Sequence, residues 1–330
     1  MQWNFYLASF FAGVALLFSL PSHAGPSHAA SPSPGQPPYL GLWVWQEMYI
    51  ENPASRDELL SFCRQQKINR LLLQIHFATD GKIESPASLS AFLAKAAADG
   101  IAVEALEGAP DMGLASQRAD TLRKLAVILE FNGTQPQGRG FGGVHYDIEP
   151  YLTARWKGGG ERDVALETLA TMQAIREKAK EADPSMTVAY DIPSWYDRKP
   201  ALAALNFNGR TENFQQQIQD LSDYVGVMSY RRQATGQNSI VAISAAALQY
   251  AAKTGKKACP AFETNSLKDD PQISFFGTSP DALDRAIDET REACGSSPGF
   301  GGILIHDYRG LSRLLAATAP DATGKPSASN

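Results

Sequence analysis

Cysteine is scarce in this chain and shows no pattern. Cys63, Cys259 and Cys294 are the only three in 330 residues, and an odd number leaves at least one thiol free. Cys259 reads as a strand residue and Cys294 as the end of the next helix. That leaves two options open: a Cys259–Cys294 bond or three buried thiols. No Cys-x-x-Cys and no Cys/His metal spacing occurs, so no structural metal site is read. Clusters of Lys or Arg are missing as well, and the formal net charge is −5. Nucleic acid is therefore not expected as a partner, and a neutral or cationic substrate suits the chain better than a polyanion. No Gly-x-Gly-x-x-Gly follows the first strand, and no cofactor is expected. There is no internal repeat and no second Pro/Ser-rich linker, which favours one domain, read as a monomer.

The first 24 residues contain no Asp, Glu, Lys or Arg. Residues 7–20 form an apolar run, LASFFAGVALLFSL, followed by Pro21-Ser22-His23-Ala24 with small residues at Ser22 and Ala24. This reads as a signal peptide over 1–24. The run is short of the roughly 20 residues that a membrane span needs. The expectation is export to the periplasm or medium, with no stable membrane association after cleavage. Residues 25–38 (GPSHAASPSPGQPP) read as a Pro/Ser-rich tether. Residues 319–330 read as a disordered tail.

Between them, short apolar runs alternate with amphipathic stretches. Strands are expected at 40–46, 69–75, 101–106, 143–148, 186–192, 223–230, 257–263 and 301–306. Helices are expected at about 86–98, 115–131, 162–182, 241–254, 280–294 and 311–317, with a short one near 212–219. The first helix opens near Ser55, which with Glu58 reads as a capping box. The connection over 193–213 reads as long and irregular. Eight strand–helix units in about 280 residues predict a single (β/α)8 TIM barrel over 39–318.

The active site of such a barrel lies at the C-terminal strand ends, and polar residues gather there: Gln74 and His76 after the second strand; Glu104 and Glu107 on the third; Asp191 on the fifth; Tyr230 and Arg231 on the sixth; Glu263 on the seventh; His306, Asp307 and Tyr308 on the eighth. The fourth strand is the sharpest case. Side chains alternate along a strand, so His145, Asp147 and Glu149 share one face and Val144, Tyr146 and Ile148 the other. Asp147 and Glu149 then have Cα atoms about 6.6 Å apart. Two close carboxyls resist double ionisation, which raises one pKa, and a raised carboxylic acid can protonate a leaving group. Aromatic residues mark the same region: Trp43 and Trp45 at the first strand, Tyr151 and Trp156 after the fourth, Trp195 and Tyr196 after the fifth. Trp156 and Trp195 sit in polar loops and are candidates to stack on a sugar. Trp43 and Trp45 lie within an apolar run and read more simply as core, though Trp45 is kept with Trp195 among the substrate-binding candidates.

The segment Gly143-Val144-His145-Tyr146-Asp147-Ile148-Glu149 resembles the fourth-strand motif of glycoside hydrolase family 18, the chitinase-like barrels, which ends in Asp-x-Glu. Asp223-Tyr224 with Met228-Ser229-Tyr230 is similar to that family's sixth strand, and Gly301-Gly302 to the opening of its eighth. The resemblance implies that Glu149 is the general acid. It also implies that Asp147 steadies an N-acetyl group serving as nucleophile, with Tyr230 nearby. The departures are Gly142 and His145, where the family has aspartates, and His306, where it has a tryptophan. Glu149 and Glu263 also fit a second barrel pattern, in which one Glu ends strand four as acid/base and the other ends strand seven as nucleophile.

Three functional readings follow. The first is an exported glycoside hydrolase, with Glu149, Asp147, Tyr230 and Glu263 as catalytic candidates. Its glycan would be held by His145, Asp191, Trp195, Trp45, Gln74, Glu104, Arg231, His306 and Asp307. The second is a metal-dependent hydrolase drawing on His76, His145, His306, Glu104, Asp147 and Glu149. The third is a carbohydrate-binding barrel without catalysis, motivated by the departures at Gly142, His145 and His306.

Overall fold

The computed structural model describes residues 38–45 and 50–317. The signal peptide, the tail and all of the tether but its last residue fall outside the described residues. Eight parallel strands close into a barrel: β1 (Tyr39–Val44), β2 (Arg70–Gln74), β3 (Ala102–Glu107), β4 (Gly143–Tyr146), β5 (Thr187–Pro193), β8 (Tyr224–Met228), β9 (Lys257–Glu263) and β10 (Gly302–His306). Neighbours in the chain are neighbours in the barrel, and β10 closes on β1 with Tyr39 opposite Gly302. The helices α1 (Pro53–Gln65), α2 (Pro86–Ala98), α3 (Arg118–Gly133), α4 (Glu161–Ala182), α5 (Phe214–Asp220), α6 (Ile240–Thr254), α7 (Pro280–Cys294) and α8 (Tyr308–Ala316) follow the strands in turn. This is the expected (β/α)8 barrel.

The near-continuous apolar strands suit burial on both faces. The outward residues, such as Val144, Tyr146 and Ile148 of the fourth strand and its extension, join one large core with the helices. The inward set is smaller: Trp43, Leu72, Leu106, Ala189, Tyr224, Cys259, Ala261 and Leu304. Each helix presents one apolar stripe; α6 buries Ile240, Ile243, Ala247, Leu248 and Ala251. Full burial of an Ile or Leu contributes about 1.5–3 kcal/mol. Among the described residues, no helix is long and apolar enough to cross a membrane.

Several local expectations are corrected. The first helix starts earlier than Ser55: Asn52 is its N-cap and accepts from the Ser55 amide, with Pro53 in the first turn. Asn52 does what Ser55 was expected to do, because the fixed φ of Pro53 already suits a first helical turn. Strand β4 ends at Tyr146 rather than Ile148, although the Asp147 amide still donates to Glu107. The connection over 193–213 contains a hairpin, β6 (Leu205–Phe207) with β7 (Arg210–Glu212). Asn208 and Gly209 join its strands at φ 51° and 78°, the dihedral signature of a tight hairpin turn. All three cysteines are buried and unpaired.

Candidate active site

The inward face of β4 carries His145, and its extension carries Asp147. The two sit in different layers. His145 lies fully buried inside the barrel, where a second, supporting set of polar groups surrounds it. Its Nε2 lies 2.8 Å from Asp191 Oδ2, and its Nδ1 lies 3.0 Å from the Tyr224 hydroxyl and 3.4 Å from Glu104 Oε2. Tyr224 donates to Glu104 Oε2 at 2.6 Å, Arg70 pairs with Glu104 Oε1, and the Trp43 indole N–H donates to Asp191 Oδ2 at 3.1 Å. Burial alone would lower the His145 pKa, but Asp191 and Glu104 raise it to about 9. The ring is therefore an imidazolium at neutral pH. Burial alone would raise the Glu104 carboxyl; Arg70, His145 and Tyr224 instead hold it below its ordinary value. Cation and anion alternate through this layer: Arg70, Glu104, His145, Asp191.

Close packing enforces the arrangement. A Cβ on Gly226 would lie 2.1 Å from Asp191 Oδ1, so only glycine fits opposite that carboxylate. Glu104, His145 and Asp191 are 1%, 0% and 2% exposed. They were expected to touch substrate; the structure puts them beneath the mouth, where they support the residues above.

The upper layer faces the mouth. Asp147 is partly buried, and its Oδ1, shielded from solvent, has no hydrogen-bond partner among the described residues. Burial first, then the charges of Asp191 and Glu149, push its pKa well above the ordinary value, against the pull of His306 and His145. The shift favours the protonated form, which can donate a hydrogen bond. Glu149 stands where the chain bends out of the barrel into the turn Pro150–Leu152. It is half-buried, and burial raises its pKa, partly offset by the Tyr151 hydroxyl that donates to its Oε1. The Tyr230 hydroxyl is pushed well up by burial and then by the charges of Glu263, Asp147, Asp191 and Glu149, and its ring packs against His306 with centroids 6.1 Å apart.

Glu263 is placed differently. Its Oε2 lies 2.8 Å from His306 Nδ1, and its Oε1 accepts from the Asn265 amide at 2.7 Å. Both oxygens are committed to the protein. The other nitrogen of His306, Nε2, accepts from the Trp45 indole N–H at 2.9 Å. Burial disfavours a charged His306, while Glu263, Asp307 and Asp147 favour it strongly enough to raise its pKa. The indole decides the tautomer, because it can only donate: a proton on Nε2 would set two N–H groups against each other. In this geometry the ring is neutral, with its proton on Nδ1.

The remaining candidates are dispersed. Gln74 and His76 line a cleft of about 470 Å³ beside the mouth, with Glu107, Arg123 and Lys124. Arg231 lines another of about 530 Å³ with Arg232, Asn238 and Gln272. Asp307 is the N-cap of α8, accepting from the Gly310 amide at 2.9 Å and from Asn265 Nδ2 at 3.0 Å. Trp195 packs edge-on against Tyr151 with ring centroids 5.3 Å apart. Trp156 is buried against Tyr196 and Phe214 and belongs to the core. Among the described residues, no three His, Cys, Asp or Glu side chains converge to hold a metal ion. Sequence reasoning missed Arg70 and Tyr224. The available signal was an arginine opening an otherwise apolar strand, with the same inward parity as Leu72.

No family model matches the chain, and no curated protein matches it in sequence. Solved structures do share its fold. A chitinase from Bacteroides thetaiotaomicron aligns with a TM-score of 0.53 at 11% identity, covering 83% of this chain and 91% of that one. An endo-1,4-beta-mannanase from Eisenia fetida aligns with a TM-score of 0.50 at 13% identity, covering 83% and 86%. A calcium-binding mutant of beta-glucuronidase 2 from Bacteroides uniformis gives 0.52 at 13% identity, with 82% of this chain matching 31% of that one. At these identities the likeness is one of fold.

Proposed function

We propose that this chain is an exported glycoside hydrolase in which Glu149 is the general acid and Asp147 a protonated donor beside it. The observation that carries the reading is a half-buried carboxyl of raised pKa at the end of the fourth strand, with a second raised carboxyl two residues before it. A glycosidic oxygen leaves as an alkoxide unless it is protonated, and a raised pKa lets a carboxyl hold the needed proton to higher pH than an ordinary glutamate does. Asp147, partly buried and without a partner on Oδ1, would give its proton to a hydrogen bond with the sugar beside the scissile bond. Tyr230 would donate from the same side.

The nucleophile is the second question. The two-carboxylate route would assign it to Glu263, but whichever oxygen attacked already accepts a hydrogen bond, from His306 on Oε2 or from the Asn265 amide on Oε1, which lowers its nucleophilicity. This favours the route in which the substrate's own N-acetyl group attacks the anomeric carbon, a recognised alternative to the carboxylate pair. The substrate is accordingly an N-acetylated glycan. Export rests on the apolar run at residues 7–20 and its small-residue end. Among solved barrels of this fold, a chitinase and a mannanase supply the precedent for glycan hydrolysis on such a scaffold.

Glu149→Gln keeps the shape of the side chain and removes the transferable proton. Cleavage of N-acetylglucosamine oligomers should fall by about 10²–10⁴-fold while the melting temperature stays within a degree or two. Unchanged cleavage by Glu149→Gln would remove the acid assignment. A fatal Glu263→Gln combined with a harmless Asp147→Asn would move the chemistry to the carboxylate pair.

A further inference from the structure

Trp45 is a large, partly buried aromatic at the mouth, just past β1, and its one polar partner comes from the adjoining strand β10. Its indole N–H donates to His306 Nε2 at 2.9 Å, and His306 Nδ1 lies 2.8 Å from Glu263 Oε2. The Trp45 and His306 rings meet near-perpendicular, at 68° with centroids 6.4 Å apart. His306 is itself wedged by Trp43, at 5.7 Å and 71°, and by Tyr230, at 6.1 Å. Beneath the indole, a Cβ on Gly108 would come within 3.0 Å of the ring edge and 2.9 Å of the Asp147 carbonyl oxygen. Glycine at 108 makes the room that Trp45 occupies.

We propose that Trp45 is a sugar-stacking platform at the mouth, and that His306 and Glu263 are the positioning residues that fix its plane. The proposal rests on the reading of this mouth as a glycan site. Glu263 accepts from Nδ1–H and thereby leaves Nε2 as an acceptor; Nε2 then takes the indole N–H. An indole on its own turns about two side-chain torsions. Anchored at its one polar atom and bounded by Gly108, it offers a sugar ring a face already in place, and little ordering has to be done on binding. This assigns Glu263 a role other than nucleophile: its carboxylate works through His306 on Trp45.

Two measurements test this, one needing no ligand. In the wild type, ¹⁵N NMR should show His306 as the neutral Nδ1–H tautomer, with the Trp45 indole proton protected from exchange. His306→Leu should abolish that protection. His306→Gln should restore it, because the amide oxygen can accept from Trp45 while its NH₂ donates to Glu263. A doubly protonated His306 at pH 7.5, or a Trp45 proton equally protected in His306→Leu, would overturn the positioning chain. The second measurement is titration with trimers of β-1,4-linked N-acetylglucosamine and of β-1,4-linked mannose. Trp45→Ala should weaken binding about tenfold, a loss of ~1.4 kcal/mol. His306→Leu should raise KM with little change in kcat, and His306→Gln should recover most of the affinity. Equal binding by wild type and Trp45→Ala, or no binding of either trimer by the wild type, would overturn the platform. Binding without cleavage by the wild type would instead remove the hydrolase reading and leave the platform standing.

Discussion

A carboxyl that donates a proton in catalysis must hold it until the substrate arrives. At Glu149 burial supplies that hold, and the Tyr151 hydroxyl partly relaxes it by stabilising the charged form. The sign of the consequence is fixed. Glu149 acts in its protonated form, so activity is lost as pH rises through its pKa. Tyr151→Phe removes the group that lowers this pKa, so the basic limb of the kcat/KM profile should move to higher pH. A limb that moved down, or stayed in place, would separate Tyr151 from the acid. Asp147 and Glu149 were legible in the sequence because strand alternation puts both on the inward face. The commitments of Glu263 were not, since its partner His306 lies 43 residues away and no local pattern joins them.

Strand β4 and its neighbours show how a barrel places charge under a reactive layer. His145 can be charged at full burial only because Asp191 and Glu104 flank it. Its folded pKa, about 9, is raised above the ordinary 6.5. Folding therefore favours the protonated form, and the stability it contributes is fully present below about pH 6.5 and lost as pH rises through about 9. The melting temperature of the wild type should fall across that window, and the part due to His145 should vanish in His145→Ala; an identical slope in both would sever the link. His145→Ala should also cost about 3–5 kcal/mol in denaturant unfolding, because buried Asp191 loses its cation while Glu104 keeps only Arg70. On β8, Gly226→Ala should be destabilised as well, its Cβ meeting Asp191 Oδ1. The elements themselves were mostly legible: α2 and α7 fall where Pro86 and Pro280 open them. The strand lengths and the β6–β7 hairpin were less so. Strand β4 stops at Tyr146, two residues before the apolar pattern ends at Ile148, and Asn208-Gly209 was a hairpin signal inside a stretch that read as irregular.

Over the whole molecule, the barrel separates a packed body from a polar mouth. Its closure was legible from eight repeated units, because each parallel strand needs a helical crossover to reach the next. The contents of the mouth were legible only as a set of residue types at strand ends. Tertiary geometry divided that set, sending Glu104, His145 and Asp191 into a supporting layer and leaving Asp147, Glu149 and Tyr230 above it. The thiols belong to the body: Cys63, Cys259 and Cys294 are buried and unpaired, so dithiothreitol should leave the melting temperature unchanged. A fall of several degrees would reveal a disulfide that this fold does not contain.

The central claim is that Glu149 protonates a glycosidic bond at this mouth. Its most direct test is the release of new reducing ends from oligomers of N-acetylglucosamine by purified wild type and by Glu149→Gln at equal concentration, with melting curves for both. The wild type should release reducing ends, Glu149→Gln should lose at least about 10²-fold of that activity, and the two melting curves should superimpose. Equal release by both proteins, or none by the wild type, would contradict the claim.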